Sequence, residues 1–384
     1  MATEGPMHPD SVPVLVVAPR LDVGGTERHL LRVLPRLRQS GIDAQIFVIH
    51  PGGHLEDDMR AAGVPVLSPP AMSKAWLRLA LAGLMLMWIM LTQRKRLVHF
   101  FLPEAYLAGG LAGFMAGCRR MIMSRRSLNR YQRAHPIATR IEYFLHRRMA
   151  LLVANSQAVA TDLRQENAPT ERIRLIYNGI DSEPFTRPLD RTALRAELGI
   201  GPNTLVFCIV ANLLPYKGHS DLLDALANWS GRDGDWALLC VGRDDGAKAD
   251  LARRCKAAQM DGKVHFLGQR SDVPALMGIS DMGLLCSREE GFSNSILEGM
   301  AAGLPMIVSD AGGNGEAIAH GRTGLIYPAG DVAALGAALD YLAGQPDLRR
   351  SLGAAARQWV QTNLSIEACV QRYTELYHSL RVPA

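Results

Sequence analysis

Two α/β domains, each on a doubly wound parallel sheet, are predicted by three features of this 384-residue sequence. Short, continuously apolar runs alternate with segments whose apolar residues recur at helical spacing, the pattern of strands covered on both faces by crossover helices. The alternation lapses once, near the middle of the chain, in a cluster of turn formers. The length exceeds a comfortable single core, and an apolar fraction of 48% suffices for two.

The first apolar run, residues 12–18, is followed by Gly24-Gly25-Thr26-Glu27 and then by Leu30, Leu31, Val33, Leu34 and Leu37, which reads as strand, glycine turn, helix. Residues 44–50, 64–67, 97–101, 120–124 and 151–155 read as further strands, with helical segments between several of them. Asn178-Gly179-Ile180-Asp181, Glu183-Pro184-Phe185 and Arg187-Pro188 mark a linker. A second alternating series follows at residues 204–211, 236–241, 264–267, 282–286, 306–308 and 324–327. Residues 348–380 read as one helical segment, with Tyr373, Leu376, Tyr377 and Leu380 on a face suited to packing against another domain. The expected domains are residues 1–184 and 185–364, with a terminal helix over 365–384 packing back on the first. The sequence shows no short-period repeat and no low-complexity tract.

The net charge of +5 conceals an asymmetry: Lys and Arg number 23 against 13 Asp and Glu through Ile180, and 19 against 24 in the remainder. Arg94-Lys95-Arg96, Arg119-Arg120, Arg125-Arg126 and Arg147-Arg148 crowd one stretch with only Glu104 and Glu142 to offset them. Such a patch suits an anionic surface or substrate. Nucleic acid fits poorly, because aromatic residues are 6% of the chain and do not interleave with the arginines as a stacking platform would. Just upstream, residues 76–91 are strongly apolar but carry Arg78 and fall short of the roughly 20 residues that a spanning helix needs. Two readings stay open for this segment, a buried core helix and a helix lying in a membrane interface beside the basic patch.

Six scattered cysteines read as buried apolar groups in a reducing compartment, and residues 1–13 lack the apolar segment of a secretory signal. No Cys or His cluster has metal-ligand spacing; Asp57-Asp58 and Asp244-Asp245 read as surface pairs.

Four loops at predicted strand ends carry candidate chemistry. Gly24 and Gly25 let helix amides approach a phosphate or sugar. Ala211-Asn212-Leu213-Leu214-Pro215-Tyr216-Lys217-Gly218 places Lys217 where an ammonium stabilises a departing diphosphate. Ser287-Arg288-Glu289-Glu290-Gly291-Phe292-Ser293-Asn294-Ser295 then enters a helix that carries Glu298. There Gly291 suits a tight turn, the Ser293 to Ser295 run supplies N-cap side chains, and Glu298 is able to accept two hydrogen bonds from a vicinal diol such as ribose, while Glu290 grips hydroxyls of a second sugar. Gly312-Gly313-Asn314-Gly315-Glu316 repeats the glycine-turn logic after the 306–308 strand. His99, near the end of the fourth strand, reads either as a satisfied core histidine or as a site residue.

Taken together, these residues resemble the retaining glycosyltransferases of family 4, with two Rossmann-like domains facing each other across a cleft (the GT-B type). The resemblance covers nearly the whole chain and includes Gly24-Gly25-Thr26-Glu27, Asn155-Ser156, Asn178-Gly179-Ile180-Asp181 with Phe185, Lys217-Gly218, and two acids at 290 and 298 separated by seven residues. It implies that Glu298 binds the donor ribose and Glu290 the transferred sugar. Lys217 would hold the diphosphate, Gly24 and Gly25 would line the acceptor side, and Gly291, Phe292, Ser293, Asn294, Gly218, Asn212 and Arg243 would flank the donor.

Two departures from the family pattern stand out. Asn212 occupies a position where many relatives have arginine, leaving Arg243 or Arg288 as substitutes in the clamp. His99 is followed by Phe101 where many relatives have a second histidine, so either His99 takes the role near the donor sugar or no histidine does. The resemblance implies metal-free transfer from a nucleotide-diphosphate sugar to an acceptor hydroxyl, with anomeric configuration retained. The basic, apolar first half adds the expectation of a lipid-linked acceptor in cell-surface polysaccharide or glycolipid assembly, on the cytoplasmic side of a membrane. Rival readings are a sugar-nucleotide epimerase of the same architecture and a silent nucleotide-sugar-binding protein.

Overall fold

The computed structural model describes residues 11–93, 96–128, 132 and 134–381. Two compact units result, one of residues 1–179 with 366–384 and one of residues 180–365. Arg94 and Lys95 of the basic stretch lie outside the described residues.

The first unit runs β1 (Val12–Ala18), α1 (Gly25–Gln39), β2 (Ile42–Val48), α2 (Glu56–Ala61), β3 (Val66–Leu67), α3 (Ala75–Thr92), β4 (Leu97–Phe101), α4 (Pro103–Met115), β5 (Met121–Arg125), α5 (Pro136–His146), β6 (Leu151–Ala154), α6 (Gln157–Gln165) and β7 (Ile173–Leu175). Its seven strands are parallel in the order β3-β2-β1-β4-β5-β6-β7. β1 shows why: Val12, Val14 and Val16 face a core shared with Leu30, Val33, Leu34 and Leu37 of α1, while Leu15 and Val17 face the opposite core with Leu86 of α3 and Ala112 of α4. Both faces are apolar because both are covered.

The second unit runs α7 (Arg191–Glu197), β8 (Leu205–Val210), α8 (His219–Ala227), β9 (Trp236–Val241), α9 (Lys248–Ala257), β10 (Val264–Gly268), α10 (Val273–Gly278), β11 (Met282–Leu285), α11 (Asn294–Ala302), β12 (Met306–Ser309), α12 (Asn314–Ala317), β13 (Gly324–Tyr327), α13 (Val332–Ala343) and α14 (Pro346–Asn363). Its six strands are parallel in the order β10-β9-β8-β11-β12-β13. α15 (Ile366–Ser379) closes the chain and belongs to the first unit, where Cys369, Tyr373, Leu376 and Tyr377 enter the core between α1 and β1.

Three expectations are corrected. The single helical segment over 348–380 is two helices, because the Leu364 carbonyl accepts the Ile180 amide at 2.9 Å and Ser365 pairs with Ile180, which breaks the helical ladder where the chain changes units. β7 is an additional strand: three residues with an exposed arginine in the middle give no apolar run to read. The buried-core reading of residues 76–91 holds for one face alone: α3 packs Ala82, Leu86, Ile89 and Met90 into the core and leaves Trp76, Leu84, Trp88 and Leu91 exposed.

Candidate active site

In the second sheet the strand order reverses between β8 and β11, so the loops leaving their carboxyl ends diverge to opposite faces and open a crevice, the usual ligand position in open α/β sheets. The loop after β8 makes a tight turn over Pro215–Lys217 and enters α8 through Gly218 at φ +73°. A Cβ at 218 would overlap the carbonyl of Cys286 at the end of β11, so glycine alone lets the two loops touch. The contact is sewn by the Arg288 amide donating to the Tyr216 carbonyl at 2.8 Å. The Ser309 hydroxyl donates to the Ser287 carbonyl at 2.5 Å, and the Gly313 amide to the Gly291 carbonyl at 3.0 Å, which ties in the loop after β12.

This scaffold brings Lys217 and Glu290, 73 positions apart in sequence, into direct contact: the ammonium donates to Glu290 Oε1 at 2.5 Å. The Ser287 hydroxyl donates to the same oxygen at 2.8 Å. Both members of the ion pair are largely shielded, and the ammonium also sits 5.1 Å from the Tyr216 ring centroid. A cation and a carboxylate held this way, beside the start of a helix, supply one group that attracts phosphate and one that accepts from hydroxyls.

Glu298 lies in the second turn of α11 with 8% of its surface exposed. Phe292 is buried just ahead of the helix, and Asn294 is its first residue. The N-cap expectation needs correction. Ser293 occupies the cap position without a side-chain bond to the helix amides, and its hydroxyl pairs with that of Ser295 at 3.0 Å. Gly291 does not adopt positive φ; the left-handed turns near the site fall at Gly218 and Gly312.

Asn212 and Arg243 form a separate cluster at the ends of β8 and β9. The Asn212 amide donates to Asp245 Oδ2 at 3.2 Å, and its Oδ1 accepts from the Arg243 backbone amide at 3.2 Å. The Arg243 guanidinium donates to both Asp245 oxygens at 2.7 and 3.2 Å. Arg288 is held likewise, donating to Asp221 at 3.0 and 2.8 Å. Each arginine considered as a substitute for the one missing at 212 is therefore already paired with a carboxylate. Asp221 is absent from the sequence reading, and Ser287 stands in the singled-out stretch without a role: an acid three residues into a helix and a serine after a strand carry no signal until the loops meet.

In the first unit Gly24 caps α1, and a Cβ there would overlap the Glu27 carboxylate, which is folded back on the helix start. Burial raises the Glu27 pKa, opposed by its own amide and by Arg126. Arg126, read from sequence only as one more positive charge, donates to Asn178 Oδ1 at 2.8 Å and bonds Tyr373. Asn155 donates to the Arg126 carbonyl at 3.3 Å, and its own Oδ1 is buried without a partner. Gly25, Glu27, Arg126 and Asn155 thus gather at the carboxyl end of the first sheet.

His99 does not join them as a catalytic group. It is fully buried, its Nδ1 paired with the Tyr377 hydroxyl and its Nε2 with the Ser124 hydroxyl, both at 2.8 Å, so neither nitrogen is open to a substrate. Burial, followed by the Arg126 charge, pushes its pKa down to about 3. The unfolded chain binds a proton at this histidine at pH values where the folded protein does not. Stability from this group is complete above about 6.5 and is lost as pH falls toward about 3. The thermal midpoint is expected to drop on acidification through that window, and His99→Gln, which keeps a neutral hydrogen-bonding group, is expected to flatten the drop; calorimetry from pH 7 to 4 checks it.

Among the described residues, no group of three or more His, Cys, Asp or Glu is placed to hold a metal ion. Asp244 accepts the Gly246 and Lys248 amides, and Asp245 is engaged by Arg243.

Two family models match this chain in tandem. Residues 23–184 match the model described as Glycosyltransferase Family 4, and residues 190–359 the one described as Glycosyl transferases group 1. The chain is 29% identical over 231 residues to N-acetyl-alpha-D-glucosaminyl L-malate synthase of Bacillus anthracis, a match covering 60% of each chain. It is 29% identical over 246 residues to the lipopolysaccharide core biosynthesis mannosyltransferase LpsB of Rhizobium meliloti (strain 1021), covering 62% of this chain and 68% of that one. The matched segment thus spans less than two thirds of the Bacillus relative. In fold the chain is similar to Anabaena Alr3699/HepE, solved in complex with UDP-glucose, with a TM-score of 0.85, 23% identity and coverage of 96% of this chain and 99% of that one.

Proposed function

The chain belongs to glycosyltransferase family 4, with the two-domain GT-B fold, and from that premise we propose that it moves a sugar from a nucleotide-diphosphate donor to an acceptor hydroxyl with retention at the anomeric carbon. The observation that carries this reading is the Lys217–Glu290 contact at the β8/β11 reversal, with Glu298 on the helix that follows. A relative solved with UDP-glucose supports a donor of that class. Glu298 takes the ribose diol, Glu290 the hydroxyls of the transferred sugar, and Lys217 the diphosphate.

The arriving diphosphate competes with Glu290 for the ammonium, and the freed carboxylate is then available to the sugar. The bond from the anomeric carbon to the diphosphate oxygen breaks while a bond to the acceptor oxygen forms on the same face, and the acceptor proton passes to the departing phosphate oxygen. Lys217 and the positive end of the α11 helix dipole stabilise the charge that grows on that oxygen. Because protein groups do this, the reaction is proposed to need no divalent metal.

The acceptor is proposed to be lipid-linked, in cell-surface polysaccharide or glycolipid assembly, with the enzyme peripheral on the cytoplasmic face of the membrane. A relative named for lipopolysaccharide core biosynthesis and the excess positive charge of the first half support this. The paired state of Arg243 and Arg288 favours a second reading, a protein that binds nucleotide sugar without turnover.

A thermal-shift panel of UDP- and GDP-sugars comes first, and the stabilising donor is then incubated with and without acceptors. Product with a retained anomeric proton coupling, formed equally in EDTA, is the expected result. An inverted product or a chelator-sensitive rate overturns the corresponding part, conversion of the donor alone identifies an epimerase, and binding without turnover identifies the silent protein.

A further inference from the structure

We propose that the outer face of α3, α4 and α5 is a docking surface for an anionic phospholipid bilayer, with a lipid phosphate held among Arg119, Arg147 and Arg148. It gives the peripheral membrane association of the proposed function a location in the fold. On α3 the residues at successive turns away from the sheet are Trp76, Ala80, Leu84, Trp88 and Leu91, all exposed, the two tryptophans at 66% and 63%. A helix of a water-soluble domain ordinarily shows polar residues on that side. α3 is long and apolar enough to cross a membrane by length and composition, yet it joins β3 to β4 of one sheet and packs Leu86 and Met90 into the core beneath, so it lies along the protein and does not leave it.

The neighbouring helices extend the face. α4 adds Phe114 and Met115, the latter 69% exposed, and α5 adds Ile137, 73% exposed, and Phe144. Arg140, Arg147 and Arg148 follow on the same exposed side of α5 and just beyond its end. Helices that cross between parallel strands run against them, so α3, α4 and α5 all end at the edge of the sheet where strands begin. At that edge a cavity of about 500 Å³ opens, lined by Phe114, Arg119, Arg147, Arg148 and Arg172 among others and by no carboxylate. The Arg148 guanidinium stands 5.1 and 5.0 Å from the Phe114 and Phe144 ring centroids, which meet edge to face, so an aromatic floor positions the cation. Arg172 donates to the carbonyls of Arg147 and Met149 and fixes the back wall.

Charge decides the occupant. Glu104 and Glu142 are the only acids between residues 74 and 148; Glu104 bonds His50 at 2.6 Å, and Glu142 is buried against Gln132 and Arg125. A second copy of the chain pairing through this face would set its arginines against each other. Anionic headgroups satisfy the cations while acyl chains cover the tryptophans, as at an interfacial helix. The loops that carry Gly25 and Arg126 leave the opposite edge of the sheet, so the surface is separate from the candidate site.

Flotation of the full chain with vesicles tests the proposal, using phosphatidylglycerol vesicles, phosphatidylcholine vesicles, and inorganic phosphate as competitor. Binding to the anionic vesicles is expected, falling steeply with salt. R147Q/R148Q is expected to weaken it by roughly fivefold per arginine, about 25-fold together. L84S/W88S is expected to abolish binding to the anionic vesicles. Equal binding of the arginine variant and the parent overturns the headgroup site. A failure to float at low salt, or a dimer that W88S dissociates and vesicles do not, overturns the docking surface. Thermal shift by the stabilising nucleotide sugar, read on the same samples, is expected to be unchanged by either variant; a parent that binds donor but no vesicle sinks this inference alone, and one that binds vesicle but no donor sinks the proposed function alone.

Discussion

Replacing Lys217 with alanine is expected to lower kcat by a factor of about 10²–10³, the usual loss when one preorganised donor to a developing negative charge is removed. The position isolates this effect well. Lys217 ends a tight turn at the crevice, and without it Glu290 keeps the Ser287 hydroxyl as a partner. Tm is therefore expected to stay close to the parent value while turnover falls. Lys217→Arg is not a conservative replacement, because a planar guanidinium presents its donors differently from a compact ammonium. Arg243 and Arg288, the two cations read as substitutes in the clamp, are held by Asp245 and Asp221 and are not poised to compensate. A kcat within threefold of the parent, with the donor still bound, would remove Lys217 from the reaction.

The sequence makes this loop visible because its chemistry is local: a lysine and a glycine follow an apolar run, and two acids follow another. Parallel strands buried on both faces are legible for the same reason, and β1, β8 and β9 need only their own residues to be recognised. What is set by distant contacts is not legible. β7 is three residues long, and the break between α14 and α15 depends on an amide about 185 positions away. His99 reads equally well as core or site until Tyr377 and Ser124 take both its nitrogens. Arg126 shows the converse, a residue that reads as surface charge and is drawn among Glu27, Asn178 and Tyr373 by the packing of α15 on the first sheet.

α3 carries the same lesson about pattern. Apart from Arg78 its sequence is apolar on every side, and periodicity cannot say which side meets protein. The stripe through Ala82, Leu86, Ile89 and Met90 faces the sheet, and the stripe through Trp76, Leu84 and Trp88 is left outside. Composition alone supports burial and membrane contact equally, and only the position of the helix in a crossover separates them.

Glu298→Gln is expected to raise the KM for the donor by about 10–100-fold with kcat nearly unchanged, since hydrogen bonds to a charged acceptor contribute about 1.5–3 kcal/mol. Glutamine keeps the shape of a side chain that is 8% exposed in the second turn of α11, so the substitution removes charge and one acceptor without leaving a cavity. The split between the two constants is the informative part. A ribose lies far from the breaking bond and is held equally in ground and transition states, so losing its partner weakens binding uniformly and leaves the chemical step alone. Lys217→Ala is expected to do the reverse. The two variants together therefore separate the carboxylate that holds the nucleotide from the ammonium that stabilises its departure. If Glu298→Gln instead lowered kcat at saturating donor, the acid would lie nearer the reacting carbon, and the roles given to 290 and 298 would have to be exchanged.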